Sequence, residues 1–372
     1  MRIVIFMTLF LFVFALLNLY ISKRLVKHLD LNKKIKRLLN IFLVINYVGI
    51  IGYISGRYFV NIPDTIYFLF SIPIGIVFLL FCTAIIYDIS KISLNKLPIS
   101  NSRRTFFKKS LDVGALVVAT ALSARALYEA RFIAIEKVSI DIQGLKQSYK
   151  IAQLSDVHIG GLINQKFIRG IVEKVNNLKP DLVVITGDLV DIKIEEAKET
   201  LSELKNLSST HGTYFVVGNH EYFHGIERII KEVKSLGITV LENENVYIGE
   251  KSKGFNLAGV YDVMGYRVDK YKPDIKKALE NKEDSPTILL AHQPRYIEEV
   301  KEGVDLILSG HTHGGQLYPF RFLVKLVQPY LSGLYRHNDK LQIYVNRGTG
   351  FWGPPMRLGA NSEITDITIN PA

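Results

Sequence analysis

The stretch Gly310-His311-Thr312-His313-Gly314-Gly315-Gln316 places two histidines one residue apart among three glycines. It follows a mainly apolar run, 304–309, that is typical of a buried strand, and the glycines indicate a loop at the end of that strand. Imidazole is the commonest metal ligand at neutral pH, and two histidines on one loop can turn their nitrogens toward one point. The stretch alone fits a polar turn equally well, so the rest of the chain decides.

Four other apolar runs end in residues of the same kind. They are followed by Ser155-Asp156-Val157-His158, Gly187-Asp188-Leu189-Val190-Asp191, Gly218-Asn219-His220-Glu221 and His292. In open α/β sheets, ligands bind outside the carboxyl ends of the strands, so we expect the five ends to meet at one crevice. The set offers oxygen and nitrogen ligands without a thiolate, which suits Mn, Fe, Zn, Ni or Co. It is too large for one closed tetrahedral site and suffices for two metals.

From about residue 133, short apolar runs alternate with charged amphipathic stretches. Helices are predicted over Gln165–Leu178, Glu195–Leu207 and Ile226–Leu236, and strands at about 148–154, 182–186, 214–217, 238–241, 256–260, 287–291, 304–308, 342–345 and 363–369. This alternation predicts βαβ units around a sheet with two covered faces.

The first third of the chain has a different composition. Residues 3–21, 38–55 and 65–87 are apolar enough to cross a bilayer, which takes about 20 residues. Residues 111–124 form a shorter apolar segment, marginal for a span and typical of a signal-sequence core. Residues 1–132 carry 17 Lys and Arg against 5 Asp and Glu, whereas residues 133–372 carry 29 against 30. The basic excess flanks the apolar segments, a pattern of membrane topology that argues against a nucleic-acid partner.

The loop charges predict the orientation. The first and third loops between apolar segments are rich in Lys and Arg, and the second contains only Arg57. The two basic loops are therefore expected in the cytoplasm. If the fourth segment crosses, the large domain is extracytoplasmic, which we favour; if that segment lies flat or stays inside, the domain is cytoplasmic.

A second feature bears on export. Ser102-Arg103-Arg104-Thr105-Phe106-Phe107-Lys108 precedes the fourth segment and resembles a twin-arginine signal. It departs from that pattern because it is internal and because Phe107 stands where leucine is usual. Ordinary positive-inside charge is the alternative explanation.

The strand-end motifs together resemble those of the calcineurin-like metallophosphoesterases. The resemblance rests on Asp156-x-His158, Gly187-Asp188-x-x-Asp191, Gly218-Asn219-His220-Glu221, His292 and Gly310-His311-x-His313. It covers about residues 148–369. The chain is similar in particular to a bacterial membrane-associated branch whose last motif extends to Gly314-Gly315-Gln316. It implies a four-layer β-sandwich of two mixed sheets flanked by helices. The expected organisation is a membrane anchor over 1–110, a short fourth transmembrane or signal-like segment over 111–132, and a metallophosphoesterase domain over 133–372.

The resemblance also implies a role for each site residue. Asp156, His158 and His313 would hold one divalent metal. Asn219, His292 and His311 would hold the other, and Asp188 would bridge both. The two cations would stabilise an in-line displacement at phosphorus and lower the pKa of a bridging water. His220 would act as general acid or bind a phosphate oxygen, with Asp191 orienting its imidazole; a helix N-cap is the alternative for Asp191.

Three further residues are weaker candidates for substrate contact. His224 lies close to the site in sequence and could contact the substrate. A role as a surface or helix-capping histidine is an equally good interpretation. Arg347 and Arg357 lie in a glycine-rich loop and suit bidentate phosphate contact, although the loop also reads as a turn-rich connection. The apolar segment 320–331 is either a membrane-facing lip for a lipid-borne substrate or, slightly favoured, an ordinary packed connection.

These observations predict a multi-pass membrane enzyme that hydrolyses a phosphoester or pyrophosphate bond. The adjacent bilayer suggests a phospholipid, a lipid-linked pyrophosphate or a cell-envelope intermediate as substrate. A small periplasmic phosphodiester or nucleotide is the alternative. A membrane sensor or scaffold with an inactive metal fold is the rival from another class. It is disfavoured because every ligand position is filled.

Overall fold

The computed structural model describes residues 2–60 and 62–372 and divides into two compact units. Met1 and Asn61, which belong to the predicted membrane anchor, lie outside the described residues. The first unit comprises Met1–Glu129 with Gly353–Leu358, and the second comprises Ala130–Trp352 with Gly359–Ala372.

The first unit contains four long helices. They are α1 (Arg2–Tyr20), α2 (Lys33–Tyr58), α3 (Asp64–Lys96) and α4 (Asn101–Glu129). Each is long and apolar enough to cross a membrane. Asn32 caps α2 by accepting a hydrogen bond from the amide of Ile35 at 2.8 Å, which satisfies one of the free amides of the first turn.

The fourth helix is longer than its apolar core predicts. The mainly apolar 14-residue segment 111–124 lies within a helix of 29 residues, and the twin-arginine-like stretch forms its first turns. Lys, Arg and Ala are good helix formers, so helix propensity continues where hydropathy falls.

Buried charge within the helical unit is paired. Asp112 accepts hydrogen bonds from the Tyr87 hydroxyl at 2.6 Å and from Lys108 at 3.0 Å. Asp88 accepts hydrogen bonds from Arg24 at 2.7 Å and from the Tyr20 hydroxyl at 2.9 Å. Because each carboxylate has basic and hydroxyl partners, the cost of burying its charge among the helices is offset.

The second unit is built from twelve strands and seven helices. The strands are β1 (Ile133–Ile142), β2 (Tyr149–Leu154), β3 (Leu182–Thr186), β4 (Thr213–Val216), β5 (Thr239–Val240), β6 (Glu244–Ile248), β7 (Phe255–Gly259), β8 (Thr287–Leu290), β9 (Leu306–Ser309), β10 (Gly333–Arg336), β11 (Gln342–Val345) and β12 (Ser362–Pro371). The helices are α5 (Gln165–Leu178), α6 (Ile194–Leu201), α7 (Asn219–His224), α8 (Ile226–Ser235), α9 (Met264–Val268), α10 (Ile275–Ala278) and α11 (Arg321–Val324).

The strands form two six-stranded mixed sheets. The first has the order β1-β12-β2-β3-β4-β5 and the second β10-β11-β9-β8-β7-β6. In the first sheet β2 to β5 run parallel, and β12 is antiparallel to β2. In the second sheet β7, β8, β9 and β11 are parallel, with antiparallel strands at both edges. The alternation of elements suggested a single sheet, whereas the two mixed sheets implied by the family resemblance are confirmed.

The side chains along each strand point alternately to the two faces of its sheet, so each sheet contributes to two cores. Ile151 and Val184 of the first sheet pack with Leu257 and Ile288 of the second in a central core. On the outer face of the first sheet, Val183 packs against α5, α6 and α8. The outer face of the second sheet is covered by a cluster that includes Tyr296 and Ile297. The result is four layers, helices–sheet–sheet–helices.

Three strands have no counterpart in the sequence prediction, namely β1, β6 and β10. β1 carries Glu136, Lys137, Ser139 and Asp141, and its side chains are half-exposed over much of its length. β6 and β10 are edge strands with mostly polar or exposed residues. These three segments become strands because they pair with a neighbouring strand, and the hydropathy pattern does not reveal such pairing.

Candidate metal centre

The five motif-bearing strand ends meet at one place. β2, β3 and β4 end there from the first sheet, and β8 and β9 from the second. The backbone also joins them: Asp156 donates its amide hydrogen to the carbonyl of Gly187 at 3.0 Å, and Gly310 donates to that of His292 at 2.9 Å. The convergence arises because both sheets present the carboxyl ends of their parallel strands on the same side.

The predicted ligands have unusual backbone conformations. Five of the seven adopt a positive φ of 50–70°, namely Asp156, His158, Asp188, His311 and His313. This left-handed region is uncommon for residues with a side chain, and such strain concentrates at functional sites.

Two glycines allow the motifs to approach closely. A methyl group on Gly218 would collide with the Asp188 carboxylate, and one on Gly310 would collide with Ser155 and Asp156. Glycine is therefore required at both positions by the packing of the site.

The first ligand cluster consists of Asp156, His158 and His313, all buried. The Nε2 atoms of the two histidines are 3.1 Å apart, and the Nε2 atom of His313 is 3.4 Å from Asp156 Oδ1. Burial, with the nearby His220, lowers the pKa of His158 to about 3. This imidazole is therefore neutral at physiological pH, the form that binds metals.

The second cluster consists of Asp188, His292 and His311. The Nδ1–H group of His292 donates to the carbonyl of Thr186 at 2.7 Å, which directs the Nε2 atom into the cluster. Burial lowers the pKa of His292, but the charge of Asp188 outweighs burial and raises that pKa well above its usual value. This Nε2 atom lies 3.2 Å from His311 Nδ1 and 3.2 Å from Asp188 Oδ2. Burial and His292 lower the pKa of His311 to about 4, so its ring is neutral too.

Asp188 connects the two clusters. Its Oδ2 atom lies 3.2 Å from His292 Nε2, 4.0 Å from His158 Nε2 and 3.9 Å from His220 Nε2. Its Oδ1 atom accepts a hydrogen bond from the backbone amide of His220 at 2.8 Å. One carboxylate oxygen thus faces ligands of both clusters.

His220 lies beside both clusters and is held by Asp191. Its Nδ1–H group donates to Asp191 Oδ1 at 2.6 Å, which directs Nε2 toward Asp188. Burial lowers the pKa of His220, but the charges of Asp188 and Asp191 outweigh it and raise the pKa to about 9. The imidazolium form is therefore favoured at neutral pH, as expected of a proton donor.

The nitrogen and oxygen atoms of the two clusters are suited to bind divalent cations. The buried Oδ1 atom of Asn219 has no hydrogen-bond partner among the described residues. In both clusters, imidazole nitrogens face one another or a carboxylate at 3.1–3.4 Å. A cation satisfies such converging lone pairs, which would otherwise repel.

Comparison with known proteins agrees with this geometry. Residues 149–315 match the family model for calcineurin-like phosphoesterases. The chain is 42% identical to an uncharacterized metallophosphoesterase of Helicobacter pylori, over 97% of each chain. The chain belongs to the calcineurin-like metallophosphoesterases.

Two further matches describe the range of this similarity. A Bos taurus transmembrane protein with a metallophosphoesterase domain is 37% identical over 69% of this chain and 62% of its own length. The solved structure of a dimetal phosphatase from Danio rerio matches 60% of this chain and 99% of its own, with a TM-score of 0.39 and 12% identity.

Family membership establishes the general activity. The protein is an enzyme that hydrolyses phosphoester bonds, and its family uses divalent metals. The apolar helices and the transmembrane relative also establish association with a membrane.

The loop that carries Asp188 in this metallophosphoesterase is organised by Glu221, a residue to which the motif pattern assigned no role. The Glu221 carboxylate is fully buried and accepts hydrogen bonds from four backbone amides, those of Asp188, Leu189, Val190 and Gly218, at 2.6–3.1 Å. It is the third residue of α7 and reaches back to the residue before the helix, as in a capping box. Burial raises its pKa to about 7, whereas the amide donors oppose that rise.

Two exposed aromatic residues flank His220 and were also missed. The rings of Phe223 and Trp352 lie edge-on to the imidazole, with centroids at 5.9 and 6.0 Å. Gln316 holds Trp352 by donating to its carbonyl at 2.8 Å and accepting from its amide at 3.1 Å. Two features of the sequence could have indicated the position of Trp352. They are the glutamine of the GHTHGGQ motif, which binds it, and its place beside the arginines of the glycine-rich loop.

The structure gives other surroundings to the weaker candidates. His224 Nε2 lies 3.4 Å from Asp191 Oδ1, so His224 shares this carboxylate with His220. Arg347 donates to Glu136 at 2.6 Å and forms an ion pair with Glu363, which gives it a structural role. Arg357 belongs to the helical unit, where it is fully buried and its amide donates to the carbonyl of Ala126. A fully buried guanidinium is not available to substrate.

Replacing Glu221 with glutamine tests its role. In Glu221→Gln, an NH₂ group faces amides that require an acceptor, so we expect a loss of about 2 kcal/mol in unfolding free energy. For a domain of this size that loss lowers the Tm by about 6 °C. Bound metal and turnover should fall as well, because the Asp188 loop loses its support. Thermal unfolding and metal analysis of the detergent-solubilised full chain measure both effects.

Glu196→Gln is the matched control, because Glu196 is exposed on α6. It should leave both the Tm and the metal content unchanged. A Glu221→Gln protein with the wild-type Tm and full metal content would show that the charge of Glu221 does not support the loop.

Proposed function

We propose that this metallophosphoesterase is a membrane-anchored phosphodiesterase or phosphatase with two divalent cations, acting on a lipid-borne or cell-envelope phosphoester or pyrophosphate. The observation that carries the two-cation site is the position of Asp188 Oδ2, within 4.0 Å of histidine nitrogens from both clusters. A carboxylate in this position can ligate two ions at once.

Each cation would have its own ligands. Asp156, His158 and His313 would hold one, Asn219, His292 and His311 the other, and Asp188 both. When bound, two such cations supply an activated water and neutralise the charge that develops on the phosphoryl group.

The remaining side chains handle the proton and the access of water. His220 directs Nε2 into the site and would protonate the leaving oxygen, while Asp191 fixes the ring through Nδ1. Phe223 and Trp352 flank this imidazole and limit the access of water to it.

The metal and proton-donor roles can be separated by two variants of the full chain. His220→Asn should keep its bound metal and lose about 10²–10⁴-fold in kcat on bis-p-nitrophenyl phosphate, because only the proton donor is removed. His311→Ala should lose metal as well as turnover. Chelation should abolish wild-type turnover, and added Mn²⁺ should restore it.

His337→Asn is the control, because His337 lies on an exposed loop after β10 and is not one of the proposed ligands. Unchanged hydrolysis in His220→Asn would contradict the proton-donor role. Full metal content in an active His311→Ala protein would contradict the ligand assignment. Folded wild-type protein that binds no metal and hydrolyses nothing would favour the sensor or scaffold alternative.

A membrane-borne substrate is supported by the location of the enzyme. Its four long apolar helices hold the catalytic unit close to a bilayer, which raises the effective concentration of lipid-borne substrates. A small soluble phosphodiester or nucleotide gains nothing from this location.

The substrate class can be tested in nanodiscs containing the full chain. A long-chain polyprenyl diphosphate in the bilayer should be hydrolysed with a kcat/KM at least about tenfold higher than that of a short, water-soluble prenyl diphosphate, the equivalent of about 1.4 kcal/mol of binding. Equal values, or hydrolysis of the soluble compound alone, would favour the small-molecule alternative.

The orientation of the catalytic unit is supported by the charges of the loops. Lys and Arg are concentrated in the first and third loops, which predicts that these two are cytoplasmic and that a chain leaving α4 continues outside. The twin-arginine-like stretch at the start of α4 is consistent with export.

Cysteine labelling tests the orientation, because Cys82 is the only cysteine. In a Cys82→Ser background, Glu250→Cys should react with a membrane-impermeant maleimide in spheroplasts. Lys34→Cys, at the start of α2 beside the first basic loop, is expected in the cytoplasm and should react only after lysis. The reverse result would place the catalytic unit in the cytoplasm.

A further inference from the structure

The catalytic unit concentrates its exposed apolar surface in one segment. Six of the twelve large apolar residues that are exposed after residue 129 lie within 318–327, which we call the apolar lip. Leu326 and Val327 are 79% and 68% exposed, and Tyr318, Phe320, Phe322 and Leu323 are 47–57% exposed. A contiguous apolar surface of this kind marks an interaction site. Of the two interpretations of 320–331 that the sequence left open, this exposure argues against the packed connection, which was slightly favoured.

The apolar lip is fixed at both ends. Leu317 and Leu331 are buried on either side of it. Gln328 is buried too, and its side-chain oxygen accepts a hydrogen bond from the amide of Arg295 at 3.2 Å. Between these anchors the chain forms the short helix α11, whose large side chains face outward. The fold therefore holds these residues in solvent rather than leaving them loose.

The charge of the apolar lip identifies its partner. Arg321 and Lys325 are its only charged residues, so the lip carries +2, whereas residues 133–372 as a whole are nearly neutral. Aromatic and aliphatic side chains interleaved with Lys or Arg are the composition of segments that lie in a membrane interface and attract anionic lipids. Long basic side chains can extend to the headgroups while their neighbours are buried.

We infer that the apolar lip inserts into the interface of the bilayer that anchors the chain. The four apolar helices keep the catalytic unit tethered to that bilayer, so the contact forms within one molecule and needs little affinity of its own. A second copy of the chain is a poorer partner, because two lips of charge +2 would repel each other.

The apolar lip is connected directly to the metal centre. It begins two residues after Gln316, which holds Trp352 beside His220. Four residues after the lip the chain returns to the same motif, where the hydroxyl of Thr312 donates to the carbonyl of Leu331 at 2.5 Å. A membrane contact here places the centre at the lipid surface, whatever substrate it hydrolyses.

A fluorescent probe on the lip tests this contact in the full chain. Leu326→Cys in the Cys82→Ser background, labelled with NBD, is reconstituted in nanodiscs of phosphatidylcholine with phosphatidylglycerol. We expect a blue-shifted emission that is quenched by doxyl-labelled lipid and protected from iodide. Glu250→Cys, on an exposed loop of the same unit, is the matched control and should show the opposite behaviour.

Charge provides a second measurement. Arg321→Gln and Lys325→Gln should each lower the ratio of inserted to water-exposed lip about fivefold, and salt should weaken the contact. In nanodiscs of phosphatidylcholine alone, the two variants and the parent should become similar.

Two results would overturn the inference. A probe at 326 that emits as in water and is quenched by iodide alone would show no contact. A blue-shifted probe that doxyl lipid does not quench would show that protein covers the lip. Hydrolysis of bis-p-nitrophenyl phosphate by the same sample keeps these results separate from a failure of the proposed chemistry.

Discussion

The catalytic centre depends on one buried side chain, the carboxyl group of Glu221, whose oxygens accept hydrogen bonds from the backbone around it. Burying an unpaired carboxylate is costly, so it persists only where donors surround it. Four backbone amides supply those donors, three from the loop after β3 and one from the residue before α7. The same contacts fix the loop in which Asp188 adopts a positive φ, and they fix the start of the helix that carries Asn219 and His220. One side chain thereby sets the relative positions of Asp188, Asn219 and His220, which we propose as the bridging ligand, an amide ligand and the proton donor.

The two sheets make this arrangement rigid enough to hold strained residues. The central core is formed by side chains from both sheets and is almost free of solvent. Five of the predicted ligands, which follow the strand ends, can remain in the left-handed region because packing on both sides overdetermines the loops. In the second cluster, the carbonyl of Thr186 also fixes the ring of His292 from the side opposite the other ligands. Ligands held in this way require little reorganisation when a cation binds.

The sequence predicted those parts of the fold that local pattern determines. Helix α5 and strand β3 have the predicted ends because an apolar period and a flanking cap or glycine define them. The parts it missed depend on partners distant in the chain. β1 is a strand because it pairs with β12, more than 200 residues later. Nothing in the spacing of Glu221 reveals that its oxygens face the loop after β3. Likewise, arginines in the glycine-rich loop suggested phosphate contact, yet carboxylates hold Arg347, and burial in the helical unit removes Arg357.

The distribution of charge in the catalytic unit relates the metal centre to the proposed membrane contact. The catalytic unit is nearly neutral, so its fold gains no general attraction to an anionic membrane. The basic residues of the apolar lip stand beside six exposed apolar side chains, close in sequence to the metal-binding motif. A membrane contact restricted to this segment would orient the unit as well as attract it, because the lip is fixed at both ends. The hydrogen bond between Thr312 and Leu331 then joins the lip to the loop between His311 and His313. Tethering by helices alone would leave the direction of the catalytic centre unspecified, whereas a fixed apolar lip specifies it.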